Sequence, residues 1–87
     1  LEEVVMIQAT VAIYPLGQPD NAAVELAIER LRAVGVEARV RSMHTEIAGE
    51  EDAVFEALRG AFDAAATRGG VVMTVSVSNA CPVLPPR

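Results

Sequence analysis

The apolar residues of this chain change period along its length: two, about 3.6, two, two, about 3.6, and two again. Few folds accommodate that order. In residues 5–14, Val5, Ile7, Ala9, Val11 and Ile13 alternate with Met6, Gln8, Thr10, Ala12 and Tyr14, the pattern of a strand with one face in a core. Pro15-Leu16-Gly17-Gln18-Pro19 ends it. Asp20 or Asn21 can cap a helix with a side-chain oxygen, and Val24, Ala27, Ile28, Leu31 and Val34 follow at helical spacing. Gly35 stands where a left-handed helix end is expected. Residues 36–42 alternate again. A weaker strand is expected at 43–48, with Met43, Thr45 and Ile47 inward, His44 and Glu46 outward, and Gly49 breaking it. Glu50, Glu51 and Asp52 suit the positive end of a second helix. Its apolar stripe reads Val54, Phe55, Leu58, Ala61, Phe62 and Ala65, and Gly69-Gly70 closes it. Residues 71–78 form a fourth alternating run, and 79–87, with three prolines, are expected to be an irregular tail.

The order βαββαβ, built from two βα units, predicts an α+β fold of the ferredoxin-like sandwich type, one domain over residues 1–87. Right-handed crossovers put both helices on one face of an antiparallel sheet of order 4-1-3-2. The other face then carries Gln8, Thr10, Ala12, Thr74 and Ser76, with His44, Glu46, Arg39 and Arg41 toward one side. Thr10 is expected near Thr74, and Gln8 near Ser76. With only Tyr14, Phe55 and Phe62 as aromatics, the core must be aliphatic, Met43 and Met73 included. One cysteine, Cys81, leaves no internal disulfide to support so small a core. Homo-oligomerisation through sheet faces is therefore expected.

Charge and composition exclude several roles. Twelve acids against seven arginines and no lysine give a net charge of -5, which disfavours nucleic acid and anionic membrane surfaces as partners. No apolar run is long enough to cross a bilayer, and Leu1-Glu2-Glu3 is no basic leader, so a cytoplasmic location is expected. The loop after the first strand has no cysteine pair for a metal and no cation for phosphate. The central strands lack the aromatics of an RNA-reading sheet. Cys81 and His44 are the candidate nucleophile and base, but Cys81 lies beyond the last strand, beside Pro82. No catalytic residue, metal or cofactor is assigned.

Three stretches carry a resemblance. They are Gln8-Ala9-Thr10-Val11-Ala12-Ile13-Tyr14-Pro15-Leu16-Gly17, Met43-His44-Thr45 with Gly49 ahead of the second helix, and Val71-Val72-Met73-Thr74-Val75 running into Ser78-Asn79-Ala80-Cys81-Pro82. The chain resembles the YkoF-type thiamine/hydroxymethylpyrimidine-binding family over nearly its whole length, as a single repeat where tandem members have two. The resemblance implies the βαββαβ fold, non-catalytic binding of the aminopyrimidine half of thiamine in salvage or transport, and assembly through sheet faces as homodimer or homotetramer. The family usually has Gly-Pro-Met-Ser-Thr where this chain has Arg41-Ser42-Met43-His44-Thr45. Arg41, Ser42 and His44 depart from that pattern.

The residues can be matched to such a ligand on their own chemistry. Gln8 and Asn79 each carry donor and acceptor, Thr10, Thr45, Thr74 and Ser76 supply hydroxyls, and Tyr14, Leu16 and Met43 supply apolar walls. Gly17 permits close backbone approach. The candidate site is the sheet end where the first strand stops and the third and fourth begin, with Asn79 toward the opposite end. Another small polar heterocycle satisfies the same set. The alternative reading is an ACT-like regulatory or assembly module that senses another small effector at an oligomer interface.

Overall fold

A computed structural model describes residues 5–33 and 35–80. The elements are β1 (Met6–Pro15), α1 (Ala22–Leu31), β2 (Val36–Val40), β3 (Thr45–Glu50), α2 (Glu51–Ala66) and β4 (Val71–Ser78). The four strands form one antiparallel sheet of order β2-β3-β1-β4, which is 4-1-3-2 counted from the other edge. This α+β architecture is consistent with a ferredoxin-like sandwich. The expectations for Val34, Cys81 and tail residues 81–87 fall outside the described residues.

Both helices pack on one sheet face. The core joins Ile7, Ala9 and Val11 of β1 and Ile47 of β3 to Ala23, Ala27 and Leu31 of α1 and Val54, Ala57, Leu58 and Ala61 of α2. Alternation in β1 settles which side is covered, since Gln8 and Thr10 point the other way and stay partly exposed. Alanines on α1 and α2 allow the helices to approach the sheet and each other closely. Phe55 and Phe62 are consequently left outside, 48% and 41% exposed, although the helical spacing assigned them to the buried stripe. The inner stripe uses Ala57 and Ala64 instead.

Two further expectations are corrected. Met43 is not in the core. It sits in the turn between β2 and β3 and is 82% exposed, because pairing in β3 begins only at Thr45. Gly49 does not break the strand. It lies within β3, across from Ile7 of β1 and Val36 of β2. A Cβ there would stand 2.5 Å from the carbonyl oxygen of Gly35, so a glycine is needed where the backbone entering β2 crosses β3. Gly35 itself has φ +85, as its place after α1 requires. At the other end of α1, the Asp20 carboxylate accepts from the Ala22 backbone N–H at 3.0 Å, while Asn21 makes no capping bond with its side chain.

Two loops meet at one end of the sheet. The Leu16 backbone N–H donates to the Gly70 carbonyl at 2.9 Å, and Gln18 Nε2 donates to the same oxygen at 2.8 Å. The connection leaving β1 is thus fastened to the connection entering β4.

Candidate functional site

Register divides the polar candidates between the two sides of the sheet. Thr45 stands opposite Val11 in β1 and Val40 in β2, so its side chain shares the helix side with theirs. Thr10 pairs with Ser76, Ala12 with Thr74 and Gln8 with Ser78, all on the open side. The pairing is one same-face step away from the expected Thr10–Thr74 and Gln8–Ser76 neighbours. On the covered side the same register matches Val11 to Val75 and Ile13 to Met73. Thr10 and Thr74 still border one depression as diagonal neighbours.

Two depressions share His44. On the helix side, a pocket of about 190 Å³ lies between α1 and the turn from β2 to β3. Val11, Ile13, Val24, Ile28 and Val40 form apolar walls, and residues 41–45 complete it. Thr45 is buried, the one buried polar residue among those described. The turn is closed by the Arg41 backbone N–H, which donates to the His44 carbonyl at 2.7 Å. On the open side, a shallower trough of about 100 Å³ is bordered by Thr10, Ala12, His44, Thr74 and Ser76.

A charged cluster lies at the His44 end. Arg41 Nε and Nη2 both reach Glu46 Oε1 at 3.3 Å, and His44 Nε2 lies 3.4 Å from Glu46 Oε2. Desolvation opposes the Glu46 charge, but the hydrogen bonds from His44 and Arg41 and their positive charges outweigh it and hold the carboxyl below its ordinary value. An ionised carboxylate only accepts, so His44 Nε2 is the donor and Nδ1 is the ring nitrogen left for other partners. Beside them, the Arg39 side chain is only 9% exposed, with Nη2 3.9 Å from Glu37 Oε2. Gln8 continues the trough toward Ser78, and its Oε1 is buried without a hydrogen-bond donor.

The remaining candidates lie apart from both depressions. Tyr14 is half exposed opposite Val72, beyond the last β1–β3 pair. Leu16 is exposed, and Gly17 has φ +62 with open space around it. Asn79 lies at the far end, on a third depression of about 340 Å³ with Phe55 and Val77. Sequence reasoning missed Val24, Ile28 and Val40. The helical spacing puts Val24 and Ile28 on the apolar stripe of α1; in the structure Ala23, Ala27 and Leu31 are its buried residues, and Val24 and Ile28 line the pocket. Among the described residues, no group of three or more His, Cys, Asp or Glu side chains could hold a metal ion. No helix among the described residues is long and apolar enough to cross a membrane.

Comparison with known proteins gives a family and a fold. Residues 6–83 match the YKOF-related family. No curated protein is significantly similar in sequence. Among solved structures, hypothetical protein MJ1052 of Methanocaldococcus jannascii is similar with a TM-score of 0.78 and 23% identity, over 85% of this chain and 79% of that one. Protein SP2199 of Streptococcus pneumoniae has a TM-score of 0.76 and 22% identity, over 84% of each chain. TM0486 of Thermotoga maritima, provisionally described as a thiamine biosynthesis/salvage protein, has a TM-score of 0.71 and 13% identity, over 83% of this chain and 81% of that one. At these identities the likeness shows the fold.

Proposed function

This chain belongs to the YKOF-related family, and on that premise we propose that it binds thiamine or its hydroxymethylpyrimidine moiety without transforming it. The observation that carries the reading is the pocket between α1 and residues 41–45. Its aliphatic walls suit the flat faces of a heteroaromatic ring, and the Thr45 hydroxyl can both donate to and accept from ring substituents. The pocket is built on the stretch that carries part of the family resemblance. The provisional thiamine role of the Thermotoga maritima protein points the same way.

Assembly belongs to the same proposal. The open face is lined at its middle by Thr10, Thr74 and Ser76 rather than by long charged side chains, and Gln8 Oε1 is buried there without a donor. Those features suit a face covered by a second copy, in a homodimer or homotetramer working in the cytoplasm. Titration calorimetry with hydroxymethylpyrimidine, thiamine and a panel of amino acids tests the function. Saturable heat with the pyrimidines supports it. Heat with an amino acid and none with the pyrimidines overturns it in favour of an effector-sensing module.

A further inference from the structure

β4 lies at one edge of the sheet, and among the described residues no strand pairs with its outer side. The bond from the Leu16 N–H to the Gly70 carbonyl continues the β1–β4 register, and it fixes the direction of the backbone groups that follow. Val72, Thr74, Ser76 and Ser78 aim theirs at β1, while Val71, Met73, Val75 and Val77 aim theirs outward. Such an edge is a template for another strand, and proteins guard it with charge, proline or short length. β4 has none of these guards: its eight residues hold no charged side chain and no proline. The opposite edge is guarded. β2 is five residues long and carries Glu37 and Arg39, and the Val36 N–H is already given to the Ala33 carbonyl. An apolar strip also runs beside the β4 edge. Val77 and Phe55 are both exposed and border one depression. Phe62, exposed as well, follows two turns along the same side of α2. That is about 10 Å, the length of three strand residues, which brings it level with the middle of β4.

We propose that β4 pairs antiparallel with β4 of a second copy across a two-fold axis at Thr74, making one continuous eight-stranded sheet with all four helices on one side. The occupant is a second copy because the edge is complementary to itself. Centring on Thr74 sets Val71 against Val77 and Met73 against Val75, so every outward residue of each strand finds a partner. On the open side the same register sets Thr74 against itself and Val72 against Ser76. No charge meets a like charge anywhere along the seam. The two-fold also brings the exposed phenylalanines of both copies to the same side of the seam. This interface differs from the open sheet face and does not depend on the pyrimidine reading. Edge pairing leaves the open face uncovered, so the two contacts together make a homotetramer.

The test is disulfide capture with Thr74→Cys in the full chain, on a Cys81→Ser background. Edge pairing puts the two copies of residue 74 directly opposite in a non-hydrogen-bonded pair, with Cα atoms about 4.5 Å apart and within disulfide reach. Stacked sheets lie about 10 Å apart, too far for that bond, so face-to-face contact does not form it. Mild oxidation should convert most of the Thr74→Cys chain to a linked dimer on a non-reducing gel. Ser76→Cys on the same background meets Val72 in this register and should stay mostly unlinked. Val77→Pro removes an outward N–H without touching the ladder to β1, and should halve the mass seen by light scattering while circular dichroism is unchanged. An oligomer in which Thr74→Cys does not link, or links no more than Ser76→Cys, overturns the edge pairing and leaves sheet-face assembly standing. A parent chain that is a stable monomer at micromolar concentration overturns both. Should Val77→Pro fail to fold, the disulfide yields decide alone.

Discussion

Thr45 and Val11 face each other across β3 and β1 with both side chains on the helix side of the sheet. That pairing places a hydroxyl beside the aliphatic walls of the pocket, on the opposite side of the sheet from Thr10. Thr45→Val keeps the shape and removes the polar group. It should weaken binding of hydroxymethylpyrimidine by about 0.5–1.5 kcal/mol, the net value of one hydrogen bond to a neutral partner. The melting temperature should hold or rise, because the replacement leaves no buried hydroxyl to satisfy. Unchanged affinity by calorimetry would show that the ring does not use this side chain.

Glu46 ties the two ends of the β2–β3 turn together through Arg41 and His44. Its carboxyl is held below the ordinary 4.5, so its folded pKa lies below its unfolded one. The resulting stabilisation is present above about pH 4.5 and is lost as the pH falls through the lowered value. Urea midpoints of the parent and Glu46→Gln should therefore differ at neutral pH and converge in acid. The difference is small, since the partners are partly exposed and salt screens them. Equal midpoints at neutral pH and low salt would remove any structural role for the cluster.

Gly49 and Gly60 should respond to alanine in opposite directions. At Gly49 the new methyl meets the Gly35 carbonyl, a backbone atom that can yield only by moving β2. Gly49→Ala should cost about 1–3 kcal/mol or more. At Gly60, inside α2, the nearest atom is the Arg30 guanidinium at 3.4 Å, the far end of a flexible side chain. Gly60→Ala should be neutral or stabilise by up to about 1 kcal/mol through helix propensity. Chemical denaturation of the two variants checks both signs.

Thr10 and Ser76 are cross-strand partners at the middle of the open face. If that face is covered by a second copy, Thr10→Arg or Ser76→Arg buries an unpaired charge at a cost of several kcal/mol and should break the assembly at that face. Light scattering at micromolar concentration decides it. A parent chain that is already a stable monomer contradicts sheet-face assembly.

Much of this molecule was legible in its sequence. Period-two runs in residues 5–14 and 71–78 marked β1 and β4 and told their two faces apart, because strand side chains alternate whatever surrounds them. The helical stripes, the βαββαβ order and the handedness rule of crossovers were enough for the sheet order. Three matters depended on contacts between distant residues. Gly49 reads locally as a strand breaker, yet it sits mid-strand because the Gly35 carbonyl needs the space beside it. Phe55 and Phe62 have the spacing of core residues, yet alanines fit the close approach of α2 to the sheet and the rings are left outside. Thr45 was already readable as inward with Ile47, but only the register with Val11 shows that it lines a pocket separate from the trough of Thr10, Thr74 and Ser76. Sequence periodicity specifies which residues share a face of one element. Which faces then enclose a pocket is decided by register and by the distance between packed elements, and those are properties of the whole chain.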